Sequence, residues 1–469
     1  LKKIIIIKDI MEKILFIFRR GLRIHDNTGL MAALEDSKTV IPVFIFDPNQ
    51  VGKNPYKSNN SIQFMVESLE DLDKSLRKRG SKLWYFHGNP EKVVKKLLKD
   101  DEAIDAVYVN MDYTPYSSSR DKKLAKVCKK MDVEFKQLED YLLMPVDKIK
   151  TKSGTPYKVF TAFYNAGKRQ SVRKSKKNNY KGYLSGKTKL VGQINNAKIK
   201  QFYKENDEVV VRGGRKECLR ILKSVVPSIA KKYNKDRNTP SINTTHLSAY
   251  NKFGCCSIRE VYEAFVKATN KGSMIVRQLW WRDFYTYVMY HFPYSASGAF
   301  QEKFDRIKWK HNSSWLQKWK TGMTGFPIVD AGMRQMNETG WMHNRVRMIV
   351  ASFLAKDLLI NWRHGERYFS QQLVDIDWSV NNGNWGTVVG VGASALAWFR
   401  VFNPWDQLKK YDPECEYVKE WIPELRDVPA KDILKWYDTY DLYDVDYPKP
   451  MINHKEQKEK ALKMYKRAA

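Results

Sequence analysis

The sequence predicts an α/β domain followed by an all-α domain: a doubly wound parallel sheet of five strands, then a helical unit. Three observations carry this. Up to about residue 140, short β-branched and aromatic runs alternate with helical patterns, which places helices on both faces of a parallel sheet. Beyond about Glu217 the apolar spacing turns to 3.6. Tryptophan is also divided unequally, 13 of 14 lying at or after Trp280 and only Trp84 before it. The 469 residues suffice for two or three units at roughly 150 residues each.

The opening LKKIIIIKDI, residues 1–10, is basic and then apolar, but its apolar run is too short for a signal peptide and no small-residue cleavage site follows. It reads as an N-terminal extension ahead of Met11. Residues 11–140 form the α/β domain, with strands expected at Ile14 to Phe18, Val40 to Phe46, Lys82 to Phe86, Ala106 to Asn110 and Val133 to Gln137. Helices are expected from about Ser61 to Arg79, stopped by Gly80, from near Pro90, and near Ser118 to Lys130. Residues 141–216 read as a basic interdomain linker: Lys168 to Lys200 holds eleven Lys/Arg and no acid, the composition of a solvated connection. Residues 217–469 form the helical domain, with amphipathic stretches at Val276 to Tyr290, Ile328 to Met336, Asn344 to Trp362 and Glu366 to Val374.

Composition narrows the function classes. No apolar run approaches the roughly 18 residues of a membrane span, so a soluble protein without a membrane partner is expected. Five cysteines make no CxxC, and Cys255 and Cys256 are adjacent, so neither a zinc site nor a disulfide framework is indicated. A reducing, intracellular setting fits. The net charge of +31 favours polyanions, nucleic acid first. There is no GxGxxG, P-loop, HExxH or GxSxG, which sets aside standard dinucleotide sites, hydrolysis and metal catalysis. WMHNRVRM (Trp341 to Met348) and DIDWSVNNGNW (Asp375 to Trp385), amid spaced tryptophans, suit a bound redox chromophore better.

Six ordered motifs then make a specific resemblance. RRGLRIHDN (Arg19 to Asn27), YKVFTAFYNA (Tyr157 to Ala166), TTHLSAYNKFG (Thr244 to Gly254), QLWWRDFY (Gln278 to Tyr285), GFPIVDAGMRQMNETGWMHNRVRM (Gly325 to Met348) and WFRVFNP (Trp398 to Pro404) resemble the cryptochrome/photolyase family, closest to class I cyclobutane pyrimidine dimer photolyases. The match runs from Met11 to the C-terminus. It implies a light-driven flavoenzyme whose α/β domain carries an antenna chromophore, of folate or deazaflavin type with the identity open, and whose helical domain folds around a U-shaped FAD.

The resemblance also implies residue roles. Thr244, Thr245, Leu247 and Ser248 match the flavin-phosphate segment, His246 being a departure, and Tyr233 and Arg237 the preceding YxxxR element; Arg347 and Asp375 match an ion pair beside the ring, Asp377 a ring-edge carboxylate, and Asn381 the side chain facing flavin N5. Trp385, Trp362 and Trp309 match an electron-transfer chain to the surface, although each taken singly reads as core. Arg237, Arg282, Arg345 and Arg400 match the phosphate-binding rim for UV-damaged DNA, and Trp281 the wall against which a flipped lesion packs.

Gln278, Trp281, Asn344 and Met348 are the implied lesion-facing set. Family enzymes that split cyclobutane dimers usually have Glu at the position of Gln278 and a second Trp at that of Thr387; (6-4) enzymes have Gln at the first but histidines at the positions of Asn344 and Met348. The resemblance therefore implies a cyclobutane dimer photo-lyase, with a (6-4) photolyase or a blue-light photoreceptor without repair activity as the alternatives. The chain ends soon after PKPMINHKEQKEKALKMYKR without the long tail common in signalling cryptochromes, which favours repair. A monomer acting at DNA is expected, in cytoplasm or nucleus.

Overall fold

The computed structural model describes residues 10–469, so all but the last residue of the expected N-terminal extension lies outside the described residues. Five parallel strands, β1 (Met11–Phe18), β2 (Ser37–Phe46), β3 (Trp84–His87), β4 (Ile104–Asn110) and β5 (Glu134–Leu138), form one sheet in the order β3-β2-β1-β4-β5. β1 is flanked by β2 on one side and β4 on the other, so the chain reverses its winding direction beside β1. In an open α/β sheet that is where a crevice opens at the carboxyl ends of the strands.

The connecting helices are α1 (Thr28–Asp36), α2 (Pro48–Val51), α3 (Asn59–Arg77), α4 (Pro90–Asp100) and α5 (Pro115–Lys130). α1 was not expected, yet parallel neighbours such as β1 and β2 require a crossover. Asn27 starts it by accepting from the Leu30 amide at 3.1 Å. α3 ends two residues before the expected Arg79, with Gly80 in the left-handed region at φ +75°.

The two sheet faces have different partners. Phe16, Phe44 and Tyr108 on one face belong to a core that also takes in Val276 and Phe284 of the helical domain. Leu15, Val43 and Val107 on the other pack only beneath α4, α5 and a following segment ending at Leu190. That segment corrects the solvated connection expected over 168–200. Tyr183 bridges to Val40, the Ile194 amide donates to the Tyr85 carbonyl at 2.8 Å, and Leu184 and Leu190 close the outer core. The basic run is a strap docked on the α/β domain through its few apolar residues, with its lysines left outside.

In the helical domain, the helix Met274–His291 packs on Trp378–Val389, which packs in turn on Asn344–Ser352 and Trp362–Gln372. The amphipathic stretch expected over 344–362 is interrupted. It becomes a π turn at Phe353–Asp357, Leu359 takes φ +58°, and Asn361 caps a new helix that begins at Trp362. Buried polar partners explain the break: Lys356 Nζ donates to the Arg400 carbonyl at 2.8 Å, and Asp357 pairs with His454 of the C-terminal helix His454–Ala468. Among the described residues, no helix is long and apolar enough to cross a membrane.

Candidate active site

The helix Trp378–Val389 is the axis of the candidate site. Asp377 caps it, accepting from the Ser379 and Val380 amides with Oδ1, while Oδ2 accepts from Arg20 Nη1 at 2.7 Å and the Tyr141 hydroxyl at 2.5 Å. Burial alone would raise the Asp377 pKa, but Arg20, Tyr141 and Arg282 together hold it below the ordinary carboxylate value. Expected at a ring edge, Asp377 thus has both oxygens committed to protein partners and acts as a clamp between the domains.

One turn on, Asn381 donates through Nδ2 to the Glu366 carbonyl at 3.0 Å, and among the described residues no hydrogen bond reaches its Oδ1. Arg347 holds Asp375 in a two-pronged ion pair at 3.2 and 3.0 Å and donates to the Met342 carbonyl at 2.8 Å, so the expected pair forms. His246, at φ +49° in the loop after Thr244 and Thr245, lays its ring 4.3 Å from that of Trp341. Leu247 and Ser248 open the helix Ser248–Phe253, and half-buried Tyr233 lies on the helix Val226–Asp236.

His246 Nδ1 and Trp385 Nε1 are buried without a hydrogen-bond partner. Native proteins seldom leave such atoms unpaired. With the open Asn381 Oδ1, they fit a large polar cofactor such as FAD, with Thr244, Thr245 and Ser248 available to its phosphates.

Trp385 is 2% exposed and Trp362 5% exposed, whereas Trp309 is only half-buried. Trp385 lies over Gly365, one turn after Trp362; a Cβ at Gly365 would fall 2.2 Å from the indole, so only glycine admits this approach. Trp309 is joined to the Trp362 segment by the bridge of Lys310 to Ile360. The three indoles therefore lie on connected elements in order of increasing exposure.

The residues expected to face a lesion lie on two helices that both pack on Trp378–Val389. Asn344 and Met348 stand one turn apart on the helix Asn344–Ser352, Asn344 exposed and Met348 half-buried. Gln278 turns back to donate to the Met274 carbonyl at 3.1 Å. Trp281 is stacked on Phe160, centroids 3.5 Å apart and planes within 8°, with Tyr285 tilted at 5.4 Å beyond it. Tyr285 in turn shares a 3.1 Å hydrogen bond with Thr387 and fills the space above Gly383, where a Cβ would be 2.1 Å from its ring.

Three of the four expected rim arginines come together. Arg345 stacks over Tyr411 at 4.6 Å, is held by Asn238, and has its pKa lowered by burial and further by Arg237 and Arg400, which marks a cluster of like charge. Such a cluster suits an anion. Arg282 is a correction: it pairs with Asp283 at 2.7 Å, donates to the Tyr141 carbonyl at 3.0 Å and stacks 3.6 Å over the Tyr141 ring, so its guanidinium is turned inward.

A cavity of about 500 Å³ lies at the carboxyl ends of β1, β2 and β4. Arg19, Arg20, Asp47, Tyr56, Lys252 and Trp378 are among its lining residues. Lys252 Nζ donates to Ser61 Oγ at 2.8 Å, and burial, reinforced by Arg20, pushes its pKa down to about 7.

Residues 14–178 match the family model described as DNA photolyase, and residues 274–467 match the FAD binding domain of DNA photolyase. A deoxyribodipyrimidine photo-lyase of Alkalihalophilus pseudofirmus is 34% identical over 96% of this chain and 97% of its own length. The chain belongs to the photolyase/cryptochrome family. The Escherichia coli deoxyribodipyrimidine photo-lyase is 33% identical over 96% of this chain and 98% of its own, and relatives of this kind make the chain an enzyme. Among solved structures, an archaeal photolyase of Sulfolobus tokodaii with two FAD molecules is 42% identical, with TM-score 0.87 over 97% of this chain and all of its own. A class III photolyase from Agrobacterium tumefaciens is 31% identical, with TM-score 0.89 over 98% of each chain. The FAD-binding helical domain and the five-stranded sheet expected from sequence are thus shown.

Arg20, Tyr141, Phe160, Tyr285 and Lys252 were not expected at the site from the sequence. All but Tyr141 lie inside the quoted motifs, but their roles come from partners remote in the chain. Phe399, beside Arg400, is 61% exposed.

Proposed function

We propose that this enzyme repairs UV-damaged DNA in light by splitting cyclobutane pyrimidine dimers. The observation that carries this reading is the joining of three features on one group of helices: the Trp281–Phe160 stack, the Asn344/Met348 pair and the free Asn381 oxygen beside Trp385. Bound, reduced and excited by blue light, FAD would supply the electron that opens the dimer and receive it back.

The chain's own residues do the rest. Arg237, Arg345 and Arg400 hold phosphates beside the pocket, positioning DNA without reading sequence. A dimer is weakly stacked and costs least to flip, and the exposed part of the aromatic wall returns about 1–3 kcal/mol per base. Asn344 and Gln278 offer amides to pyrimidine edges. Asp375, neutralised by Arg347, and Asn381 orient the cofactor. Trp385, Trp362 and Trp309 relay electrons inward when the flavin is oxidised. Asn344 and Met348 bring no imidazole, so the proton donor that (6-4) repair needs is missing from those positions.

The sheet-end cavity is the place for an antenna chromophore, and the two FAD molecules of the Sulfolobus tokodaii photolyase favour a second flavin over a folate. Tyr56 and Trp378, 6.4 Å apart, can wall a planar ring, and Arg19 and Lys252 suit its anionic end.

The test is fluorescence of the reduced holoenzyme. Oligonucleotide carrying one dimer should quench flavin emission, while undamaged and (6-4) oligonucleotides should not. Equal emission with all three would contradict the reading.

A further inference from the structure

A strongly basic surface remains that the site does not use. α4 and α5 cover the outer sheet face, burying Val94, Leu97 and Leu98 from one and Leu124 and Cys128 from the other. Their outward sides are almost wholly lysine: four exposed on α4 between Lys92 and Lys99, five on α5 between Lys122 and Lys130. Asp100 is the one exposed acid of the two helices; Glu91 is half-buried, and Asp121 is buried between Arg19 and Arg120. Among the described residues none of these nine amines makes an ion pair.

The fold does not account for this. Cations in a last helical turn complement the macrodipole, which covers Lys99, Lys129 and Lys130 but not the other six. Spacings such as Lys92–Lys96, Lys95–Lys99 and Lys122–Lys126 place like charges one turn apart, each costing about 0.2–0.5 kcal/mol. A polyanion would relieve that repulsion. The outer core beneath α4 and α5 contains no residue of the helical domain, so this face is distinct from the arginine cluster at the lesion pocket.

We propose that the lysine face of α4 and α5 is a second, sequence-independent contact for duplex DNA. It grips phosphates of a second duplex while the helical domain engages the lesion. The inference rests on the reading of the chain as a DNA-repair enzyme. Its physical basis is counterion release, about 0.9 in log–log salt slope for each phosphate neutralised on duplex DNA.

The experiment uses the full chain and a variant carrying Lys95→Gln, Lys99→Gln, Lys123→Gln and Lys126→Gln, all exposed positions. Wild type should bridge a bead-tethered long duplex to a free labelled one, and the variant should lose most bridging. On long undamaged duplex the variant's salt slope should be shallower by up to about 3.6. Affinity for a short dimer-bearing duplex that spans only the lesion pocket should not change. Unchanged bridging and slope in the variant would overturn the proposal, as would a wild type that binds dimers but never bridges. If the short dimer duplex is not bound while the lysine-dependent slope on long DNA persists, the repair reading falls and the second contact stands.

Discussion

Arg20 donates to Asp377 at 2.7 Å, and this contact links the two candidate sites: Arg20 lines the sheet-end cavity, and Asp377 caps the helix bearing Asn381 and Trp385. A buried charge pair is costly to break because the surviving charge is left without a partner. Asp112, 3.5 Å from Arg20, offsets part of that loss. Asp377→Asn should therefore cost about 3 kcal/mol in urea unfolding and loosen retained flavin. Because the folded Asp377 pKa is lowered, its contribution is present above the unfolded value near 3.9 and lost as pH falls through the folded one. A variant as stable as wild type would remove the clamp.

His343 predicts a separate pH effect. Its Nδ1 accepts from the Arg345 amide at 3.1 Å, capping the helix that carries Asn344 and Met348. Burial, then Arg345 and Arg347, push its pKa down to about 4. The unfolded chain binds the proton first, so stability should be full above about pH 6.5 and fall toward pH 4, by at most about 3 kcal/mol. His343→Asn keeps a capping acceptor without titrating, and its unfolding should be flatter across that window.

Phosphate binding should involve three arginines. On a short duplex, Arg237, Arg345 and Arg400 should give a log–log salt slope of about −2.7, and replacing any one by Ala should shallow it by about 0.9. Arg282→Ala should leave the slope alone and lower stability instead, since its partners are Asp283 and Tyr141. A slope change with Arg282→Ala would return it to the DNA face.

How much of this was legible depends on the range of the interaction. The strands appeared in sequence because buried parallel strands are continuous β-branched and aromatic runs, and the family motifs gave the residue types of the site. Arg282 shows the limit: its type matches a DNA rim, but its direction is set by adjacent Asp283 and by Tyr141, 141 residues away. The Arg20–Asp377 contact spans 357 residues and has no local signal. The break after Ser352 was equally hidden, because it depends on His454 reaching Asp357.

The tryptophan relay predicts that Trp362→Phe keeps its flavin but photoreduces at least tenfold more slowly with a thiol donor. Dithionite-reduced variant should repair as well as wild type. Equal photoreduction rates would exclude Trp362 from the path.

At the lesion pocket, Gln278→Glu replaces a neutral hydrogen bond by a charge-assisted one, worth about 1 kcal/mol, so dimer affinity or repair yield should rise several-fold. Thr387→Trp should do the opposite. Tyr285, hydrogen-bonded to Thr387 and packed on Gly383, occupies the needed space, so overpacking should cost about 1–3 kcal/mol.

The most direct measurement is of the product itself. Purified, reduced protein is mixed with oligonucleotides carrying either one cyclobutane thymine dimer or one (6-4) product, and restored thymines are counted by chromatography after blue light and after darkness. A cyclobutane dimer photolyase should give light-dependent restoration from the cyclobutane dimer, none in the dark and none from the (6-4) product. Restoration from the (6-4) product with the cyclobutane dimer untouched would contradict this assignment, as would the absence of repair in light by protein that retains reduced FAD.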